Sequence, residues 1–183
     1  MLFELDPIPG LKLREALVDE AEEDELIARI AAEPLTPFQF QQYEGKRLTR
    51  SFGRHYDFAR GRLEESEPIP DWLQPLRARC ASFAGLEPDH LVHVLLIRYD
   101  PGAGIGWHRD RPVFEEVVGV SLGAATTLDF RRRLGDRKFA RVAVPLAPRS
   151  AYLLSGEARQ QWEHGIKPHE ALRFSITFRS LAE

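Results

Sequence analysis

Three residues constrain the fold of this chain more than any others: His108, Asp110 and, well downstream, His164. His108 and Asp110 stand two apart, so on an extended strand their side chains leave the same face. A second imidazole brought beside them from another strand completes one triangular face of an octahedral metal ion. Two imidazoles and a carboxylate suit a borderline divalent ion, and three protein ligands leave three positions open. A closed structural zinc site takes a fourth ligand, usually Cys. Cys80 is the single cysteine and sits in a helix-like segment, where it reads as an ordinary buried thiol.

The chain must therefore bring distant strands to one place, and its second half has the pattern for it. The first half holds two helix candidates, 19–32 with Asp19 as cap and Pro34 as stop, and Trp72 to Phe83 with Asp71 as cap. From Leu91 the period changes. His93 to Tyr99 reads as a strand, Asp100-Pro101-Gly102 as a turn, and Ile105 leads into the H-x-D triplet. Glu116 to Leu122, Thr126 to Arg131, Phe139 to Val144, Ala151 to Leu154 and Leu172 to Arg179 follow as short strands between turns. Many short strands at this spacing predict a sandwich or barrel. The expected fold class is mainly β with flanking helices (α+β), a jelly roll that gathers the three residues at one open end.

In the last of these strands, Arg173 and Arg179 flank Phe174-Ser175-Ile176-Thr177-Phe178. Two guanidinium groups on one strand face suit a ligand with two carboxylates, and 2-oxoglutarate is the obvious candidate. Two His and one carboxylate with open positions is the facial triad of non-haem Fe(II) oxygenases. The three vacancies accommodate a bidentate 2-oxo acid and O2.

The chain resembles the AlkB family across 91–183. The resemblance rests on Arg98-Tyr99-x-Pro101-Gly102, His108-x-Asp110, Ser121-Leu122-Gly123, Gly156-Glu157-Ala158-Arg159, Trp162-x-His164-Gly165-Ile166 and Arg173-x-Ser175-x-Thr177-Phe178-Arg179. A weaker likeness runs from Gly45-Lys46-Arg47 through Ser51-Phe52-Gly53 to Tyr56 and Phe58. It implies a double-stranded β-helix and a 2-oxoglutarate-dependent dioxygenase with Fe(II), 2-oxoglutarate and O2. His108, Asp110 and His164 are then the catalytic metal ligands. Arg173 and Tyr99 take the C5 carboxylate of 2-oxoglutarate, and Arg179 lies by the C1 end. Ser175 lines the same site, where AlkB itself has asparagine; Ile97 replaces a second asparagine. Pro112 stands where AlkB has an acidic residue that helps recognise the damaged base. The segments Phe114-Glu115-Glu116 and Gly156 to Arg159 look closer to members that act on RNA, or on substrates that family membership leaves open.

The whole chain, 1–183, reads as one domain, with helices and a substrate-side lid in 1–90 and the jelly-roll core in 91–183. Phe38, Phe40, Tyr43, Phe52 and Tyr56 interleave with Lys46, Arg47, Arg50 and Arg54, as a surface for a single-stranded or flipped base requires. Arg47, Phe52, Tyr56 and Trp162 are the candidate substrate contacts. The alternate aromatics equally suit one buried strand face, and Trp162 equally suits packing beneath the site. Trp107 points away from His108 and is expected in the core. The net charge of −3 does not demand nucleic acid, but it hides an asymmetry. Residues 1–90 carry 18 acids against 11 bases, and 91–183 carry 10 against 14, with Arg131, Arg132, Arg133, Arg137, Lys138 and Arg141 clustered. The N-terminus has no secretory pattern and no apolar run is long enough to span a membrane, so a cytoplasmic location is expected, or a nuclear one in a eukaryote. Oxidative dealkylation of alkylated DNA or RNA bases leads. A hydroxylase or demethylase of protein side chains or small molecules, and a non-catalytic metal-binding jelly-roll module, remain open.

Overall fold

The computed structural model describes residues 7–40, 43–57 and 59–183. Phe58 and the side chains of Phe40 and Tyr43 fall outside what is described. The first half runs β1 (Leu11–Arg14), α1 (Glu20–Ala32), β2 (Thr36–Phe40), β3 (Tyr43–Asp57), β4 (Arg62–Glu65), a 3-10 turn (Asp71–Leu73) and α2 (Gln74–Ala84). Asp19 caps α1 as expected, its carboxylate accepting the Glu22 N–H at 2.8 Å, with acids in the first turn beside the positive end of the helix. Asp71 does not cap α2. It opens the 3-10 turn, makes no cap hydrogen bond, and Pro75 takes the first turn of a helix that starts two residues later than expected. A proline fits there because its missing N–H has no intrahelical partner to lose.

The second half runs β5 (His93–Tyr99), β6 (Ile105–His108), β7 (Phe114–Leu122), β8 (Thr126–Gly135), β9 (Lys138–Leu146), β10 (Ala151–Leu154), α3 (Gly156–Gln160), β11 (Glu163–Ile166) and β12 (Arg173–Leu181). Two antiparallel sheets result. The larger has the order β1-β10-β7-β12-β5-β3-β2, with β4 against β3; the smaller has the order β6-β11-β8-β9. This is the expected jelly roll with flanking helices. The sequence pattern does not predict β11, because four residues containing a glycine carry no alternation. Its pairing with β6 on one side and β8 on the other holds it extended.

The alternation of β12 orders the layers. Phe174, Ile176 and Phe178 pack against Leu26 and Ile30 of α1 and Leu76 and Cys80 of α2. Arg173, Ser175 and Thr177 are buried on the opposite face, toward the space between the sheets. A second core, including Val117, Leu128, Phe130, Val144 and Trp162, closes one end of that space. Its other end holds the polar residues. Glu23 ties the helical layer to the sheets: it accepts the Gly123 N–H at 3.0 Å and pairs with Arg149 at 2.9 Å.

Cys80 is fully buried, and burial pushes its thiol up to about 12. The reactive thiolate is therefore scarce at pH 8. Iodoacetamide is expected to leave Cys80 unmodified in the folded protein and to alkylate it on denaturation, as mass spectrometry would read. Rapid labelling of the folded chain would contradict this packing. Among the described residues, no helix is long and apolar enough to cross a membrane.

Candidate metal and cosubstrate site

His108 ends β6 and lies directly opposite His164 on β11, with ring centres 4.2 Å apart. Asp110 follows two residues after His108. One donor atom from each of the three lies within 4.8 Å of the others. The Nδ1 of His108 is 2.8 Å from the Gly106 carbonyl. A proton on Nδ1 makes that contact a hydrogen bond and leaves Nε2 as the free donor. Burial holds both imidazoles in the neutral form: the His108 pKa is lowered, and that of His164 falls to about 3, with His108 adding to the effect.

Asp110 carries the charge. Burial opposes its ionisation, but the Arg179 guanidinium holds its carboxyl well below the usual range. Its Oδ1 accepts from Arg179 at 3.4 Å, while its buried Oδ2 has no hydrogen-bond partner. A buried carboxylate oxygen left unpaired beside two neutral imidazoles is costly unless a cation completes it. The residues present therefore fit a divalent metal.

Arg173 is 1% exposed and is a second unpaired group. Its Nε donates to the Ser121 hydroxyl at 3.1 Å, its guanidinium lies 5.0 Å from the Tyr99 ring centre, and its buried Nη1 has no partner. A buried fork with a free donor suits a carboxylate. Arg173 and Tyr99 are cross-strand partners, and Ser175 lies opposite both Ile97 and Ser121. Ile97 and Leu95 pack with Tyr99 and Ala103, so this wall is apolar where it meets the two arginines. Arg179 sits between Asp110 and His93, whose Nδ1 is 3.4 Å from its Nη1.

A cleft of about 1400 Å³ opens onto the metal residues, lined among others by Arg47, Tyr56, Trp107, Arg111 and Lys167. Arg47 stands 4.2 Å from the Phe38 ring centre. Burial lowers its pKa, with the neighbouring Tyr99 acting in opposition. The Tyr56 ring carries Arg111 at 5.0 Å.

Two of the four substrate candidates do not line the cleft. Phe52, 4% exposed, faces the helical layer, because its place on β3 opposite Val94 turns it away from the site. Trp162, 7% exposed, packs in the core between the sheets and donates its indole N–H to Glu157 at 3.2 Å. Trp107 is corrected the other way. It is half-buried on the outer face of the smaller sheet and lines the cleft, covered there by the side chains of Arg131 and Arg141 and not by the core.

Sequence reasoning assigned no role in the site to three residues. His93 shares the inner face of β5 with Tyr99, a signal present in the strand period. Arg159 is buried, donating to the Arg111 and Phe114 carbonyls at 2.5 and 2.7 Å beneath the loop that carries Asp110. Tyr152 had no local signal. Burial and the neighbouring Tyr99 push its phenol up to about 12, with Arg173 acting in opposition. Its ring covers Gly119, where an added Cβ would come within 2.2 Å of it. Gly119→Ala is thus expected to destabilise the protein by about 1–3 kcal/mol through overpacking. A denaturant midpoint checks it, and Tyr152→Ala in the same chain should recover part of the loss.

The model of the 2OG-Fe(II) oxygenase superfamily matches residues 13–179. Among curated proteins, the mouse (Mus musculus) tRNA (carboxymethyluridine(34)-5-O)-methyltransferase ALKBH8 is 30% identical over 88% of this chain and 25% of its own length. The Danio rerio probable RNA/DNA demethylase ALKBH6 is 30% identical over 75% of this chain and 56% of its own. Human alpha-ketoglutarate-dependent dioxygenase alkB homolog 4 is 28% identical over 96% and 68%. The chain spans about a quarter of the length of mouse ALKBH8. The solved structure of OsALKBH1 shares the fold, with a TM-score of 0.67, 17% identity, and coverage of 94% of this chain and 98% of that one.

Proposed function

The chain belongs to the 2OG-Fe(II) oxygenase superfamily as an AlkB-like 2-oxoglutarate-dependent dioxygenase, and on that premise we propose that it removes alkyl groups oxidatively from nucleic-acid bases. In this reading His108, Asp110 and His164 hold Fe(II), Arg173 and Tyr99 bind the C5 carboxylate of 2-oxoglutarate, and Ser175 borders it. Arg179 stays with Asp110 near the C1 end. Fe(II) supplies the oxidative chemistry, coupling O2 and the decarboxylation of 2-oxoglutarate to hydroxylation of a substrate C–H.

The protein's own part is positioning and exclusion of water. The Gly106 carbonyl fixes the ring and tautomer of His108. Arg179 offsets the charge of Asp110 at Oδ1 and leaves Oδ2 free. The Arg173–Ser121 contact aims the guanidinium before the cosubstrate arrives, so little ordering remains to be done on binding. Ile97 and Leu95 make the wall between the two arginines apolar. If the carbon is an N-methyl group, its hydroxylated product releases formaldehyde.

The observation that carries the nucleic-acid reading is the cleft wall. Arg47 over Phe38 and Arg111 over Tyr56 place cations and aromatic faces together at the mouth of the metal site. Backbone cations and stacking rings are what an extruded base requires. Incubation with 2-oxoglutarate, Fe(II), O2 and a panel of N-methylated RNA and DNA oligonucleotides should release succinate and formaldehyde together, and added salt should suppress the formaldehyde. Succinate without formaldehyde from any oligonucleotide would leave the dioxygenase standing and refute the nucleic-acid substrate.

A further inference from the structure

The outer face of the smaller sheet carries a concentration of cations that the chemistry above does not use. Arg131 on β8 lies 4.6 Å from the ring centres of both Trp107 on β6 and Phe139 on β9. Arg133 lies 5.0 Å from Phe139, and Arg141 lies 5.6 Å from Phe139 and 5.8 Å from Trp107. Arg131 and Arg141 are direct cross-strand partners. Like charges directly opposite each other destabilise a sheet. Glu163 offsets one of them, pairing with Arg131 at 2.5 Å. Arg133 and Arg141 are exposed, and among the described residues neither has an acidic partner.

We propose that this face is a second nucleic-acid contact, a platform that holds the strand beyond the nucleotide in the cleft. The proposal rests on the nucleic-acid reading above and adds where the rest of the polymer lies. Three observations carry it. The chain is net acidic, so three arginines stacked on two rings of one sheet face are a local concentration and not a general basic surface. A guanidinium lying on an aromatic ring keeps its in-plane N–H donors free to point outward, the geometry a phosphate requires. The platform is also continuous with the site: Trp107 belongs to both, lining the cleft one residue before His108. A polyanion offsets the repulsion between Arg131 and Arg141, and its unstacked bases find Trp107 and Phe139 at the surface.

The test compares the unsubstituted protein with Arg133→Glu/Arg141→Glu and with the neutral Arg133→Gln/Arg141→Gln, all shown to be folded by thermal melting. Anisotropy with a labelled, unmodified single-stranded RNA is expected to show affinity falling about tenfold or more in the Glu pair and less in the Gln pair. The slope of log affinity against log salt should shrink by about one for each phosphate that is no longer neutralised. Formaldehyde release from a methylated strand should show a raised KM with kcat retained, and succinate release without substrate should be unchanged. If the wild type binds and demethylates the strand but the variants match it, the platform is refuted and the proposed function stands. If the wild type neither binds nor demethylates any oligonucleotide, both fall. If a poly-glutamate peptide binds as tightly and with the same sensitivity to the variants, the face belongs to an acidic protein partner and the proposal is overturned.

Discussion

Asp110→Ala is expected to reduce succinate release from 2-oxoglutarate to background. The substitution takes away the only negative charge among the three metal donors, and with it the unpaired buried oxygen that a cation would complete. It also leaves Arg179, 3.4 Å away, facing the metal position with its charge unopposed. Both changes act against a divalent ion. Removing an outer hydrogen-bond partner of a metal ligand already costs roughly 10–100-fold in affinity, so removing the carboxylate ligand itself should cost more. Asp110→Asn keeps the shape and removes only the charge, so it separates folding from binding. Equilibrium dialysis of Fe(II) under anaerobic conditions reads the affinity. Wild-type binding and turnover in either variant would remove Asp110 from the metal site.

Arg173→Lys has the second largest expected effect. Arg173 is held on β12 by its Nε–H to Ser121 and by Tyr99 across the strand, and its buried Nη1 lacks a partner. Lysine keeps the charge but is a point donor on a flexible stem, so it cannot hold Ser121 and a carboxylate in one plane. A charge-assisted hydrogen bond is worth about 1.5–3 kcal/mol, so its removal should raise the 2-oxoglutarate dissociation constant about 10–150-fold. Metal affinity should change little, because Arg173 is not one of the three donor residues. Calorimetric titration with the metal in place measures both. An unchanged constant for 2-oxoglutarate would exclude Arg173 from that role.

Most of what positions the site was legible because strands have a period of two. The alternation of β12 placed Arg173, Ser175 and Arg179 on one face, and that face is the inner one. The H-x-D spacing named His108 and Asp110 as partners, although β6 ends at His108 and Asp110 joins it from the loop that follows, not from the strand. What the sequence could not supply was which face of a strand meets which layer. Phe52 is assigned to the cleft because it interleaves with cations, and Trp107 to the core because it points away from His108; the structure reverses both placements. Phe52 turned inward because β3 lies within the larger sheet under the helices, whereas Trp107 stayed outside, covered by Arg131 and Arg141 and not by the core. Residues that meet only through tertiary packing were invisible for a related reason. Tyr152 reaches the neighbourhood of Arg173 because Gly119, on a neighbouring strand, leaves room for its ring. No spacing within β10 encodes that.

The central claim is that His108, Asp110 and His164 hold one ferrous ion whose open positions receive 2-oxoglutarate. If so, the cosubstrate would bind partly through the metal, and each must tighten the other. The direct measurement is the 2-oxoglutarate dissociation constant under anaerobic conditions, with and without one equivalent of Fe(II). The account predicts binding at least about tenfold tighter with the metal, and no such gain in Asp110→Ala. Equal affinity with and without the metal, or a gain that survives in that variant, would contradict it.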